Sequence, residues 1–208
     1  MSLSASKITK PYQRVASQFL KDSATLADLI RDSRTTKARL LHYFPPDPSI
    51  PQSEDDPIDS WCGFHLDHSF LTGLCPVRVI IAADPDSDAT QALFLRKDAD
   101  GEPVAIKNPA SNSGLYIRNR GGDLVKVSIP SDCLAFQTGE ALEIATENRL
   151  RATPHCVRVG TFSSTDEISR ESFALFMQCD TKHRLSSEMT FGDFSKKVFS
   201  EHYDAPTM

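Results

Sequence analysis

Between residues 60 and 180 the chain never sustains one apolar period for long. Short apolar runs of four to nine residues recur instead, at 61–66, 77–83, 92–95, 114–118, 124–129, 133–136, 155–159 and 169–177. Turn-forming pairs separate most of them: Asp84-Pro85, Asp100-Gly101, Gly121-Gly122 and Thr138-Gly139. Runs of this length suit strands and are too short for independent helices. About eight short strands with tight turns point to a mainly β fold, a sandwich or barrel of the jelly-roll kind. The clearest hairpin joins 114–118 to 124–129 through Asn119-Arg120-Gly121-Gly122-Asp123.

Helical spacing is confined to the flanks. Tyr12, Val15, Ala16, Phe19, Leu26, Leu29 and Ile30 recur at threes and fours, the pattern of a helix with one buried stripe. At the other end, Thr190 and Asp193 predict a capping box for a helix carrying Phe191, Phe194, Val198 and Phe199. Residues 38–44 read as a strand stopped by Pro45 and Pro46. A solvated loop follows, with five prolines and four acids in residues 45–57. The stretch 82–113, rich in Asp, Ala, Ser and Asn, reads as a long loop around one strand. The division expected is an N-terminal helical segment (1–37), a β core (38–180) and a C-terminal helix and tail (181–208).

A formal charge of −5 argues against a nucleic-acid backbone as the partner, because phosphate binding draws on surplus Lys and Arg. No apolar run approaches the ~20 residues of a membrane span. The five cysteines, at 62, 75, 133, 156 and 179, are odd in number and form no CxxC pair, which excludes a zinc ribbon and fits reduced thiols in the cytoplasm. One feature points elsewhere: residues 1–21 lack acids and carry Lys7, Lys10, Arg14 and Lys21, as a weak organelle transit segment would. With 208 residues to build a core, the fold needs no metal to hold it, so a metal here would be functional.

His65 and Asp67 are the first candidates for such a metal. On a strand, side chains at i and i+2 share a face, so an imidazole and a carboxylate can meet one cation. Chance alone supplies an HxD in about half of chains with this His and Asp content. Arg170 and Ser172 repeat the i, i+2 geometry with different chemistry, since a guanidinium fork grips a carboxylate and a hydroxyl adds a further bond. Between the pairs, His155 opens a late strand. His68 adjoins the first pair but points to the other strand face. Cys156 follows His155 and is expected as a packed thiol. His42, His183 and His202 have no partner pattern and read as surface residues.

The order of these features resembles the iron(II)- and 2-oxoglutarate-dependent dioxygenases of the isopenicillin N synthase-like group. The resemblance runs from about residue 25 to 180. It comprises Leu40-Leu41-His42-Tyr43-Phe44-Pro45, His65-Leu66-Asp67, Gly114-Leu115-Tyr116-Ile117-Arg118-Asn119, then the stretch from Gly139-Glu140-Ala141-Leu142-Glu143 to Asn148, then His155-Cys156-Val157 and Arg170-Glu171-Ser172. It implies a double-stranded β-helix, the cupin-like form of the jelly roll. It also implies Fe(II) held by His65, Asp67 and His155, leaving three coordination positions open.

By the same resemblance, Arg170 and Ser172 hold the far carboxylate of 2-oxoglutarate. Relatives often bring a tyrosine hydroxyl to that cosubstrate from the position of Phe44, and Tyr43, one place earlier, is the residue here that could supply it. The expected reaction oxidises a small organic molecule, by hydroxylation or desaturation, and releases succinate and CO2. A monomer with no nucleic-acid or membrane partner is expected. Familiar members carry more chain before the first helix, so a shortened form with a more open pocket is expected. Two other readings use the same fold: a catalytically silent binding or scaffold protein, and a cupin-type metal enzyme without 2-oxoglutarate.

Overall fold

Alternating apolar positions and tight turns give an antiparallel structure, seen in a computed structural model that describes Gln18 and residues 26–47, 61–75, 92–130, 133–160 and 167–203. The chain enters through helix α1 (Leu26–Arg31) and strand β1 (Lys37–Tyr43). Strands β2 (Cys62–His65), β3 (Leu71–Cys75), β4 (Leu93–Lys97) and β5 (Pro103–Ile106) follow. After β6 (Gly114–Arg118), β7 (Leu124–Lys126) and β8 (Ala135–Thr138) comes the short helix α2 (Glu140–Ala145). Strands β9 (His155–Arg158) and β10 (Ile168–Met177) lead to the closing helix α3 (Phe191–Tyr203).

The strands form two antiparallel sheets. One has six strands in the order β5-β4-β10-β3-β8, with β1 also paired to β10; the other has four, in the order β2-β9-β6-β7. Residues of both sheets line one cavity, so the sheets face each other as in a jelly roll. The long strand β10 organises the larger sheet, pairing with β1 along its length, with β4 at its start and with β3 at its end. Its alternation divides the interior. Leu175 and Met177 join a core shared with Leu26, Phe70, Leu142 and Phe191. Ile168 turns the other way, onto Ala92, Phe94 and Trp61. Full burial of side chains such as Phe70 and Leu142 contributes about 1.5–3 kcal/mol each.

The predicted hairpin is present as β6–β7. Asn119 closes the turn by accepting from the Asp123 amide at 2.9 Å, and Gly122 takes the φ of +89° that the turn requires. The predicted capping box also forms, ahead of α3. The Thr190 hydroxyl accepts from the Asp193 amide at 3.2 Å while the Asp193 carboxylate accepts from the Thr190 amide at 3.1 Å. The Thr190 hydroxyl also donates to that carboxylate at 2.6 Å, and this bond first, then the one from the Thr190 amide, hold the Asp193 carboxyl below its usual range.

Several expectations are corrected. The stretch expected to hold one strand contains two, β4 and β5, paired to each other. Strand β3 is absent from the expected set, because Thr72 and Gly73 break its apolar run, yet it lies between β10 and β8. The run expected at 133–136 forms its strand two residues later. The apolar run 77–83 and the helical pattern before residue 26 lie outside the described residues, Gln18 apart.

Candidate metal centre

His65 and His155 are directly opposite each other where β2 pairs with β9, beside a register shift between Cys62 and His65. Their ring centroids are 4.1 Å apart. The i, i+2 spacing predicts Asp67 on the same strand as His65, but β2 ends at His65 and Asp67 lies just past it. The carboxylate arrives nonetheless. Its Oδ1 is 3.7 Å from His65 Nε2 and 3.7 Å from His155 Nε2. One ligand atom from each of the three residues falls within 4.8 Å of the others.

Hydrogen bonds on the outer side of each ring select which nitrogen faces inward. His65 Nδ1 donates to the Gly63 carbonyl at 2.8 Å, and His155 Nδ1 to the Thr153 carbonyl at 3.0 Å. Both Nε2 atoms are thereby left toward Asp67. This is the arrangement imidazole ligands take around a metal. Burial lowers the pKa of His155, so its inward lone pair is free. The Cys62 thiol, then the Gly63 carbonyl, raise His65 to about 9, so a cation entering there displaces a proton.

Asp67 is 7% exposed and held from behind. Its Oδ2 accepts from the Thr72 hydroxyl at 2.5 Å and from the Gln137 amide, while Thr72 is in turn bonded to Ser69 Oγ at 3.0 Å. The Gln137 amide nitrogen also lies 3.1 Å from His155 Nε2. The backbone fixes the same loop, with Glu140 N donating to the Asp67 carbonyl at 2.7 Å and Gly139 N to Phe70 O at 3.0 Å. Cis ligands about 2.1 Å from one cation stand about 3 Å apart, so the three side chains fit a divalent ion after small inward shifts. Two imidazoles and a carboxylate suit ferrous iron.

Arg170 is 2% exposed, and its Nε atom has no hydrogen-bond partner among the described residues. Such an orphaned guanidinium nitrogen is an anion site by its chemistry. Burial lowers the Arg170 pKa. One of its terminal nitrogens lies 3.4 Å from Ser172 Oγ, so the predicted i, i+2 pair shares a face. Tyr43 stands opposite Arg170 across the β1–β10 pairing, and its ring lies 5.1 Å from the guanidinium carbon. Burial raises Tyr43, while the Arg170 charge and the Ser172 hydroxyl pull the other way. Phe44 is 74% exposed and takes no part.

Arg170 also lines a cavity of about 240 Å³ between the sheets, with Phe94, Asn108, Ser113, Lys107 and Lys126 among its other walls. No Asp or Glu among the described residues lines it. Its chemistry suits an organic anion of about the size of a small dicarboxylate.

The structure therefore brings His65, Asp67 and His155 together, and separately Tyr43, Arg170 and Ser172. Sequence reasoning does not find Thr72 and Gln137. Nothing in sequence singles out a Thr and a Gln 65 residues apart, and the β3–β8 register that makes them opposite partners depends on a strand without a clear signal. His68 is turned away, 3.1 Å from Glu140. Cys156 is fully buried. His42 is exposed, as expected, and its ring lies 2.6 Å from a Glu171 carboxylate oxygen. His183 packs its ring edge-on to Phe70, while the His202 side chain lies outside the described residues.

No protein-family model and no curated protein matches the sequence. Solved structures do. A protein described as an oxygenase, from Shewanella oneidensis, superposes with a TM-score of 0.57 at 19% identity, over 95% of this chain and 60% of that one. A protein described as belonging to the 2OG-Fe(II) oxygenase family, from Caulobacter crescentus, gives 0.55 at 18%, over 95% and 55%. The rice dioxygenase for auxin oxidation gives 0.54 at 16%, over 95% and 55%. The chain thus spans 55–60% of the length of these proteins. Its fold is the jelly roll of the iron(II)/2-oxoglutarate oxygenases, as the order of motifs implied.

Proposed function

We propose that this chain is an oxidoreductase that uses Fe(II), 2-oxoglutarate and dioxygen to oxidise a small organic molecule, releasing succinate and CO2, and that it belongs to the isopenicillin N synthase-like group. One observation carries the reading. A His-Asp-His donor set and a buried arginine with an unsatisfied nitrogen occur together inside one jelly roll. The donor set alone would suit any cupin-type metal enzyme. The arginine adds a demand for an anion.

In this reading His65, Asp67 and His155 hold the iron. Arg170 and Ser172 hold the far carboxylate of 2-oxoglutarate, and the Tyr43 hydroxyl joins them. The iron, when bound, supplies the redox chemistry that activates dioxygen. The chain's own work is placement and exclusion of water. Burial of Arg170 strengthens its pairing with a carboxylate, because little water competes there. Phe94, Ala92 and Ile129 form an apolar wall beside it. Hydroxylation and desaturation are both open to such a site, and the residues lining the cavity mouth decide the substrate. Among the described residues Cys62, Cys133, Cys156 and Cys179 form no disulfide, which suits the cytoplasm. No described helix is long and apolar enough to cross a membrane.

The test is direct. Anaerobic titration with ferrous ion and then 2-oxoglutarate should show sequential binding, and admission of oxygen should yield succinate. Absence of binding by either component overturns the proposal. Arg170→Met should lose 2-oxoglutarate while keeping the metal; a cupin-type enzyme without the cosubstrate would be unaffected.

A further inference from the structure

The carboxylate of Asp67 presents two oxygens, and a free carboxylate can chelate a cation with both. Here the two oxygens differ sharply. Oδ2 already accepts from Thr72 at 2.5 Å and from the Gln137 amide. Oδ1 faces the two imidazoles at 3.7 Å each. We propose that Gln137 is a positioning residue for the metal centre, fixing Asp67 as a one-oxygen ligand. The inference rests on the reading of His65, Asp67 and His155 as a metal site.

The amide is well suited to that contact. One of its N–H groups donates to Asp67 Oδ2, which can only accept. The same nitrogen lies over the His155 ring, 3.1 Å from Nε2 and 3.5 Å from Nδ1, and so leaves the in-plane Nε2 lone pair open. Rotating the amide by half a turn would set its carbonyl oxygen against a carboxylate, so the partners fix its orientation. The frame is rigid as well. Gln137 is 8% exposed on β8, directly opposite Thr72 on β3, so both donors to Oδ2 come from adjacent paired strands. A cation on His155 Nε2 leaves the bond to Asp67 Oδ2 in place. Partners of this kind around a metal typically change affinity about 10–100-fold.

The probe is cobalt(II) alone, added without oxygen, because its visible absorption reports ligand number and its binding needs no turnover. Gln137→Met keeps the length and removes both donors. It should weaken cobalt binding about 10-fold or more and shift the absorption, because Asp67 Oδ2, left with Thr72 as its one donor, turns more readily to the cation. Thr72→Val removes the other donor to the same oxygen and should shift the spectrum in the same sense. A folded Gln137→Met protein with wild-type cobalt affinity and spectrum overturns the inference while leaving the proposed function standing. Failure of the unaltered chain to bind cobalt overturns both. If Gln137→Met does not fold, Gln137→Ala puts the same question with less bulk. Failure of both to fold overturns the positioning role in favour of a purely structural one.

Discussion

Tyr43 and Arg170 stand directly opposite each other where β1 pairs with β10, with the guanidinium carbon 5.1 Å from the centre of the phenol ring. The ring covers one face of a cation that is 2% exposed, and the orphaned Nε atom leaves the edge of the fork available to a ligand. Removing Arg170 should therefore cost a charge-assisted pair. Arg170→Met is expected to weaken 2-oxoglutarate binding by about 1.5–3 kcal/mol, or about 10- to 150-fold. Tyr43→Phe keeps the ring and removes only a hydroxyl, so a loss of about 1 kcal/mol is expected. Calorimetric titration of the manganese-loaded protein measures both, and equal losses in the two variants would contradict the ranking.

His65 and His68 lie three residues apart and separate cleanly in role. His65 Nε2 faces Asp67, whereas the His68 ring meets Glu140 at 3.1 Å and packs 5.8 Å from Phe194. Equilibrium dialysis with manganese(II) should show binding abolished by Asp67→Ala and by His65→Ala. His68→Ala should retain it within about twofold, since its half-exposed contact with Glu140 contributes at most about 1 kcal/mol and touches none of the three candidate ligands. Loss of metal in the His68 variant would redraw the ligand set.

Gly139 is required by proximity and not by its backbone angles, which are extended. A Cβ there would lie 2.0 Å from the Ser69 carbonyl oxygen and 2.9 Å from that of Asp67. Neither contact is to a flexible side chain. Gly139→Ala must push the Asp67–Phe70 loop off the start of α2, breaking the bonds from Gly139 N and Glu140 N to that loop. A loss of about 3 kcal/mol is expected, seen as a fall of about 6–12 °C in melting temperature. Metal affinity should fall with it, because the same loop carries Asp67. An unchanged melting temperature would show that the loop and helix are not packed as described.

How much of this is legible in the sequence follows from the range of each interaction. Turn chemistry and capping act over a few residues, so the Asn119–Asp123 turn and the Thr190 cap can be read directly. The candidate ligands His65, Asp67 and His155 are legible only as an ordered set, since each pattern alone is common. Their convergence depends on the β2–β9 pairing across 90 residues of chain. Strand β3 and the Thr72–Gln137 partnership are not legible. A strand buried within a sheet and punctuated by Thr and Gly has neither a strong apolar run nor clean alternation. The Tyr43–Arg170 pairing likewise follows from β1 register, which no local signal states.

The capping box at α3 offers a pH test whose sign can be worked out beforehand. Asp193 accepts from both the Thr190 amide and the Thr190 hydroxyl, at 3.1 and 2.6 Å, and these bonds lower its pKa, with lesser help from Lys196 and Arg184. In the unfolded chain the carboxyl titrates near its ordinary value of about 3.9. A group depressed on folding stabilises fully above the unfolded value and loses that contribution as pH falls through the folded one. Thr190→Ala removes the hydroxyl that helps depress Asp193 and that accepts from Asp193 N at 3.2 Å. At neutral pH the variant should be less stable by about 1 kcal/mol, which corresponds to about 2–4 °C in a chain of this size. Below about pH 4 the gap should narrow as the carboxyl protonates in both proteins, leaving only the share due to the lost hydroxyl acceptor. Parallel melting curves between pH 7 and 3 measure this, and a gap that stayed constant or widened toward acid would mean that Asp193 does not cap α3 in solution.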